Sequence, residues 1–164
     1  SVRKMAYLSL GSNVGNREAN ICRAAGELKK LGEIAAVSSF YETEPVEFTD
    51  QPWFLNIALE LQTELMPRQL LAATLKIERE MGRRRTQPKG PRLIDIDIVL
   101  FGTAVVNDAK LVIPHPAMHE RKFVLAPLAE IAPNAKHPVL RKSVKELLDD
   151  IPKGPPVVRK LATT

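Results

Sequence analysis

Two aspartates set inside an aliphatic strand constrain this chain more than any other feature. The run Gly90-Pro91-Arg92-Leu93-Ile94-Asp95-Ile96-Asp97-Ile98-Val99-Leu100-Phe101-Gly102 is mostly branched aliphatic, the composition of a buried strand. Alternation places Asp95 and Asp97 on one face and Ile94, Ile96 and Ile98 on the other. The two aspartate Cα atoms are then about 6.5 Å apart, at roughly 3.3 Å rise per residue. Aspartate is disfavoured in strands, and two like charges on one face repel. A hard divalent cation bound by the carboxylate oxygens offsets that repulsion. Magnesium in particular is held by one or two carboxylates together with substrate phosphates.

The residues leading into this strand carry the opposite charge. Arg83, Arg84, Arg85, Lys89 and Arg92 are cationic, with no acid among them. The net charge of the whole chain is +5, so these five account for all of it. A basicity concentrated in one loop fits a local anionic ligand better than a broad nucleic-acid surface. Guanidiniums suit bidentate phosphate contacts, and carboxylates for a metal beside guanidiniums for phosphate point to phosphoryl-type transfer from a nucleotide. The bland alternative is an edge strand whose aspartates face water beside a solvated loop.

Elsewhere the chain reads as one domain of 164 residues, with about 151–164 as a tail. Lys4–Leu10 is a first strand, stopped by the turn Gly11-Ser12-Asn13. Arg17–Leu31 has helical spacing at Ile21, Ala24, Ala25, Leu28 and Leu31, with Gly32 to end it. Ile34–Glu42 is a second strand and Trp53–Gln62 a third. In the third, Phe54, Asn56, Ala58, Glu60 and Gln62 share the less apolar face. Pro67 opens a second helix whose stripe is Leu70, Thr74, Ile77 and Met81. Short strands follow around Asn107-Asp108, then a helix over Phe123–Ile131 despite Pro127. Ser143 and Glu146 have capping-box spacing for a last helix. The order β-α-β-β-α-β predicts an α+β, ferredoxin-like antiparallel sheet with helices on one face and a C-terminal extension. No Walker A pattern is present, so phosphate binding does not use a P-loop. The lone Cys22, the absence of a membrane-length apolar run and the lack of a signal peptide predict a cytoplasmic protein without internal disulfides.

The sequence also resembles a known family. Gly90 to Ile98 closely resembles the signature of the 6-hydroxymethyl-7,8-dihydropterin pyrophosphokinases of folate biosynthesis. Tyr7-Leu8-Ser9-Leu10-Gly11-Ser12-Asn13, Ser38 to Val46, Asp50-Gln51-Pro52, Phe54-Leu55-Asn56 and Pro114-His115-Pro116 match in order, over about residues 5–132. The resemblance implies transfer of pyrophosphate from ATP to the hydroxymethyl pterin, with release of AMP. It implies two magnesium ions at Asp95 and Asp97, and catalytic roles for Arg83 and Arg92 beside them. The pterin is then stacked between aromatics at Phe54 and Phe123, with polar contacts from Asn56 and from the main chain of Thr43 and Val46. On periodicity alone, Phe54 reads equally as a core ring and Asn56 as a satisfied strand amide. Nucleotide contacts are implied at Glu78, Arg83, Arg85 and Arg92, and further along at Ile98, Lys110, His115 and Arg121. Without the resemblance, Glu78 is an ordinary helix acid.

Some residues depart from the family pattern. Lys89 replaces an aromatic or other large residue, Glu47 a glycine, Trp53 an acid and Lys110 an arginine. Two other functions share part of the pattern. A polymerase-β-type nucleotidyltransferase also uses Asp-x-Asp, but normally has a Gly-Ser turn shortly before it. A non-catalytic RNA-binding ferredoxin-like module needs an RNP-like aromatic pattern that is not evident here. The expected partners are therefore ATP and the pterin alone, bound by a monomer, with no nucleic acid and no membrane. The loop Arg83–Pro91 is expected to close over the site when both ligands are bound.

Overall fold

In the computed structural model, residues 2–45, 50–82 and 92–162 are described. The strand Phe54–Thr63 (β4) organises them. Its Leu55, Ile57, Leu59 and Leu61 are buried in one core, while Ala58 on its other face belongs to a second. On one side β4 pairs antiparallel with Lys4–Ser12 (β1), which in turn pairs antiparallel with Asp95–Phe101 (β5). On the other side it pairs with Glu33–Val37 (β2) and Tyr41–Thr43 (β3) at different points along its length. The expected second strand is thus two. Ser38 interrupts it by using its hydroxyl as a backbone substitute, accepting from Ala58 N–H and donating to Ser39 C=O. Ser39 then turns its own N–H and hydroxyl to the Glu130 carboxylate.

Arg17–Leu28 (α1) and Pro67–Glu80 (α2) cover one face of the sheet. Ile21, Ala24 and Leu28 from α1 pack with Leu70 and Ile77 from α2 against Leu8, Leu10, Ile96 and Ile98. Residues 29–31 continue α1 as a single 3₁₀ turn. Two short strands, Val106–Asn107 (β6) and Val112–Ile113 (β7), form a separate ribbon.

The expectation of helices on one face holds for α1 and α2, the helices of the β-α-β-β-α-β unit, and not for those of the C-terminal extension. Lys122–Ile131 (α3) and Val144–Asp149 (α4) pack on the opposite face through Val124, Leu125, Leu128, Val144 and Leu147. A bulge makes room for them. The β1–β5 register shifts between Tyr7 and Leu8, so Val99 and Leu100 both turn toward α3 while Phe101 returns to the first core. An extra residue on one strand of an antiparallel pair reverses the facing of everything beyond it. Only part of this second face is covered. The part nearer Asp95 stays open.

The tail is also structured. Val158–Lys160 (β8) adds to β3, giving the sheet order β5-β1-β4-β3-β8. Ser143 caps α4 as its spacing predicts, accepting from Glu146 N–H while Glu146 accepts from Ser143 N–H. Among the described residues, no helix is long and apolar enough to cross a membrane.

Candidate active site

The open part of the sheet is the floor of a cavity of about 600 Å³. Two rows of side chains cross it, because paired residues in an antiparallel sheet share a face. Asp95, Gly11, Asn56 and Tyr41 lie in one row, and Asp97, Ser9 and Ala58 in the next. Phe54 and Thr43, paired with each other, extend the floor. The N-terminal end of α3, with Arg121 and Phe123, lines it as well, and the Arg121 guanidinium sits 5.6 Å from the Phe123 ring centre. Thr43, Phe54, Asn56, Asp95, Asp97, Arg121 and Phe123, all expected from sequence, therefore meet in one place.

Gly11 has no side chain at the centre of this floor. A Cβ there would fall 2.8 Å from Asn56 Nδ2 and 3.6 Å from Phe54 Cδ1. Asn56 is buried, and its Oδ1 accepts the Thr43 hydroxyl at 2.7 Å. That bond fixes the amide orientation and leaves Nδ2 over Gly11, so the donor end faces the cavity. Sequence reading took Gly11-Ser12-Asn13 as a turn. In fact β1 runs through Ser12, and Asn13 is a buried tie. Its Oδ1 accepts Arg92 N–H at 2.7 Å, and its N–H donates to Arg92 C=O at 3.0 Å. Its Nδ2 donates to Gln51 Oε1 and Pro52 C=O. One side chain thus joins the end of β1 to both flanking segments. The only sequence signal for this was a small polar residue directly after a buried strand.

Asp95 and Asp97 both open into the cavity. Arg92 Nε lies 4.0 Å from Asp95 Oδ1. Glu78, on α2, is buried, and its Oε2 accepts Ile96 N–H at 2.7 Å. It grips the backbone between the two aspartates. Among the described residues, no three His, Cys, Asp or Glu side chains gather into a metal cage. Two cavity-facing carboxylates with room beside them suit a hard cation that takes its remaining oxygens from a ligand and water.

Glu78, Arg92, Ile98, Lys110 and His115 stand outside the cavity lining. Ile98 packs in the first core. Lys110 belongs to the turn held by Asp108, whose carboxylate accepts its N–H and pairs with Arg68. His115 is tied by its N–H to Val99 C=O, two residues past Asp97. Its Nδ1 accepts Ala117 N–H at 3.2 Å, so the ring is neutral with its proton on Nε2. Val46, Arg83, Arg85 and the loop Arg83–Pro91, with Glu47 and Lys89, lie outside the described residues. Residues 151–156, read as tail, line the cavity too.

A family model described as 7,8-dihydro-6-hydroxymethylpterin-pyrophosphokinase matches residues 7–133. The 2-amino-4-hydroxy-6-hydroxymethyldihydropteridine pyrophosphokinase of Bacillus subtilis is 47% identical over 132 residues, covering 79% of this chain and 79% of that protein. Its Aquifex aeolicus counterpart is 44% identical over 140 residues, covering 85% and 88%. The folic acid synthesis protein fol1 of Schizosaccharomyces pombe is 45% identical over 151 residues, which are 91% of this chain but 21% of that protein. The chain thus spans about a fifth of the length of that relative. The crystal structure of Plasmodium falciparum HPPK-DHPS with pteroate superposes with a TM-score of 0.72 at 19% identity, over 90% of this chain and 42% of that one. It shares the fold.

Burial, and then the charge of Arg121, push the His115 imidazole down from 6.5 to about 4. Below pH 6.5 the unfolded chain binds a proton there that the folded chain refuses, so stability falls as pH drops from 6.5 toward 4. His115→Gln should flatten that part of the curve in urea denaturation measured between pH 4 and 7. A slope identical to that of the parent protein would refute the half-buried neutral imidazole.

Proposed function

Because the chain belongs to the 7,8-dihydro-6-hydroxymethylpterin-pyrophosphokinase family, we propose that it transfers pyrophosphate from ATP to 6-hydroxymethyl-7,8-dihydropterin, giving the pterin diphosphate and AMP in folate biosynthesis. One observation carries this reading beyond the family match. Asp95 and the Asn56 amide lie in one row on either side of the bare backbone of Gly11, with Asp97 in the adjacent row. A flat ring over Asn56 and Phe54 would direct its hydroxymethyl arm along that row toward Asp95 and Asp97.

In this reading the substrate hydroxyl oxygen forms a bond to the β-phosphorus. The bond from that phosphorus to the bridging α–β oxygen breaks, AMP departs with the bond's electrons, and the hydroxyl proton passes to solvent. Asn56 orients the ring edge and Thr43 holds Asn56. Phe54 and Phe123 offer ring faces for stacking. Asp95 and Asp97 would hold two magnesium ions, which when bound neutralise charge on the phosphates. Glu78 and Arg92 keep those carboxylates in place, through Ile96 N–H and beside Asp95. Arg121 adds positive charge at the cavity wall, and Arg83, Arg85 and His115 complete the phosphate contacts. Positioning and electrostatics then supply most of the catalysis. The enzyme acts in the cytoplasm on two small molecules.

Protein mixed with ATP, magnesium and the hydroxymethyl dihydropterin should release AMP. ADP as the product would point to a different kinase. Asp97→Ala should abolish turnover and leave the fold intact, with a thermal unfolding midpoint no lower than the parent's because the carboxylate repulsion is relieved, and near-parental activity in saturating magnesium would sink the metal assignment. Gly11→Ala should weaken pterin binding by about 1–3 kcal/mol, the cost of a polar group losing its partner. The affinity for a non-hydrolysable ATP analogue should hardly move. Equal losses for both ligands in calorimetry would mean that the methyl group disturbs the sheet rather than Asn56.

A further inference from the structure

We propose that residues 151–160 are a strap that forms the ring-end wall of the substrate cavity, and that its attachment to β3 sets the affinity for the pterin but not for the nucleotide. This rests on the reading of the pocket as a pterin and ATP site. The family model ends at residue 133, so the match assigns this segment no role. Yet all six residues from Ile151 to Pro156, Lys153 included, line the cavity.

The strap runs between two anchored ends. It leaves α4, where Ile151 N–H still donates to Leu148 C=O, and crosses to the far edge of the sheet. There β8 pairs with Tyr41–Thr43, Glu44 N–H donates to Val157 C=O, and Val157 N–H donates to Glu44 Oε1. Arg159 fastens the end. Its Nη2 donates to Glu42 Oε1 at 3.0 Å and its guanidinium lies 5.2 Å from the Trp53 ring centre. The other Glu42 oxygen takes Arg17, and these two guanidiniums hold the Glu42 carboxyl below its ordinary range.

Position in the sheet assigns the strap to the ring end. The order β5-β1-β4-β3-β8 places Asp95 and Asp97 at one side, Asn56 and Phe54 in the middle, Thr43 next and β8, where the strap ends, last. The strap is therefore anchored at the sheet edge farthest from the carboxylates, beside Thr43. Its chemistry fits that place. Three of the lining residues are prolines, which lack an N–H and fix φ, so the wall offers mostly stiff apolar surface and carbonyl acceptors, with Lys153 as its one charged side chain. Such a wall selects by shape.

Two variants test this: a chain ending at Asp150, and Arg159→Glu, which sets a second carboxylate against Glu42 without shortening the chain. In either variant that retains its circular dichroism and unfolding cooperativity, the pterin dissociation constant from calorimetry should rise roughly tenfold, the effect of withdrawing one apolar wall. That of a non-hydrolysable ATP analogue should change less than about twofold. In the unaltered protein, amide exchange across residues 151–157 should slow with pterin alone and not with the analogue alone. Parental pterin affinity in a folded variant, equal losses for both ligands, or exchange indifferent to pterin would each overturn the strap while leaving the proposed reaction standing. Failure of the unaltered protein to bind pterin would overturn both.

Discussion

The site depends on the register of β1. Gly11 pairs with Asp95 on one side and Asn56 on the other, and the alternation of a strand leaves no freedom in what else shares that face. A slip of one residue would bring Leu10 into the cavity and bury the pocket face against α1 and α2. That slip is strongly opposed, because Leu8 and Leu10 are fully buried in the first core, and exposing two such side chains costs about 1.5–3 kcal/mol each. The core thus fixes the site by fixing the register. The bulge after Tyr7 divides the second face: on one side of it the sheet meets α3, and on the other it meets ligand space.

Charge is the second constraint. If the two carboxylates are as far apart as their Cα atoms, about 6.5 Å, their repulsion at an effective dielectric of about 20 is near 2.5 kcal/mol. That is a large fraction of a typical domain's stability. The Arg92 guanidinium at 4.0 Å from Asp95 offsets part of it, and the grip of Glu78 on Ile96 keeps the strand from relaxing the pair apart. The arrangement is poised for added positive charge. Asn13 holds Arg92 by two main-chain bonds, so the anchor of the basic segment is rigid at the point where it meets the carboxylates.

Much of this was legible in the sequence because period two is a simple signal. The facing of Asp95 and Asp97, of Phe54 and Asn56, and the Leu70–Met81 stripe all follow from spacing alone. What was not legible came from side chains replacing backbone. Ser38 breaks a strand that its neighbours would have continued, and Asn13 turns an apparent reverse turn into a tie across segments nearly forty and eighty residues away. Periodicity does not report such bonds. Glu78 was legible as a residue of interest only through resemblance, because a helix acid near a C-terminus looks solvated until its partner strand is known. The side taken by the C-terminal helices was not legible, because α3 is too uniformly apolar for its stripe to name a partner.

The tail shows how a departure from a family pattern can be read once its neighbours are known. Trp53 stands where the resemblance leads one to expect an acid. An acid there would compete with Glu42 for Arg17 and Arg159. With tryptophan, Arg159 instead lies over the ring while donating to Glu42, and Arg17 donates to both Glu42 and Trp53 C=O. A guanidinium accepts both environments at once, since its edge carries the donors and its face suits a π surface. The substitution therefore converts a repulsive neighbour into a seat for β8. It lies one residue before Phe54, so the same short stretch that floors the cavity also holds its outer wall.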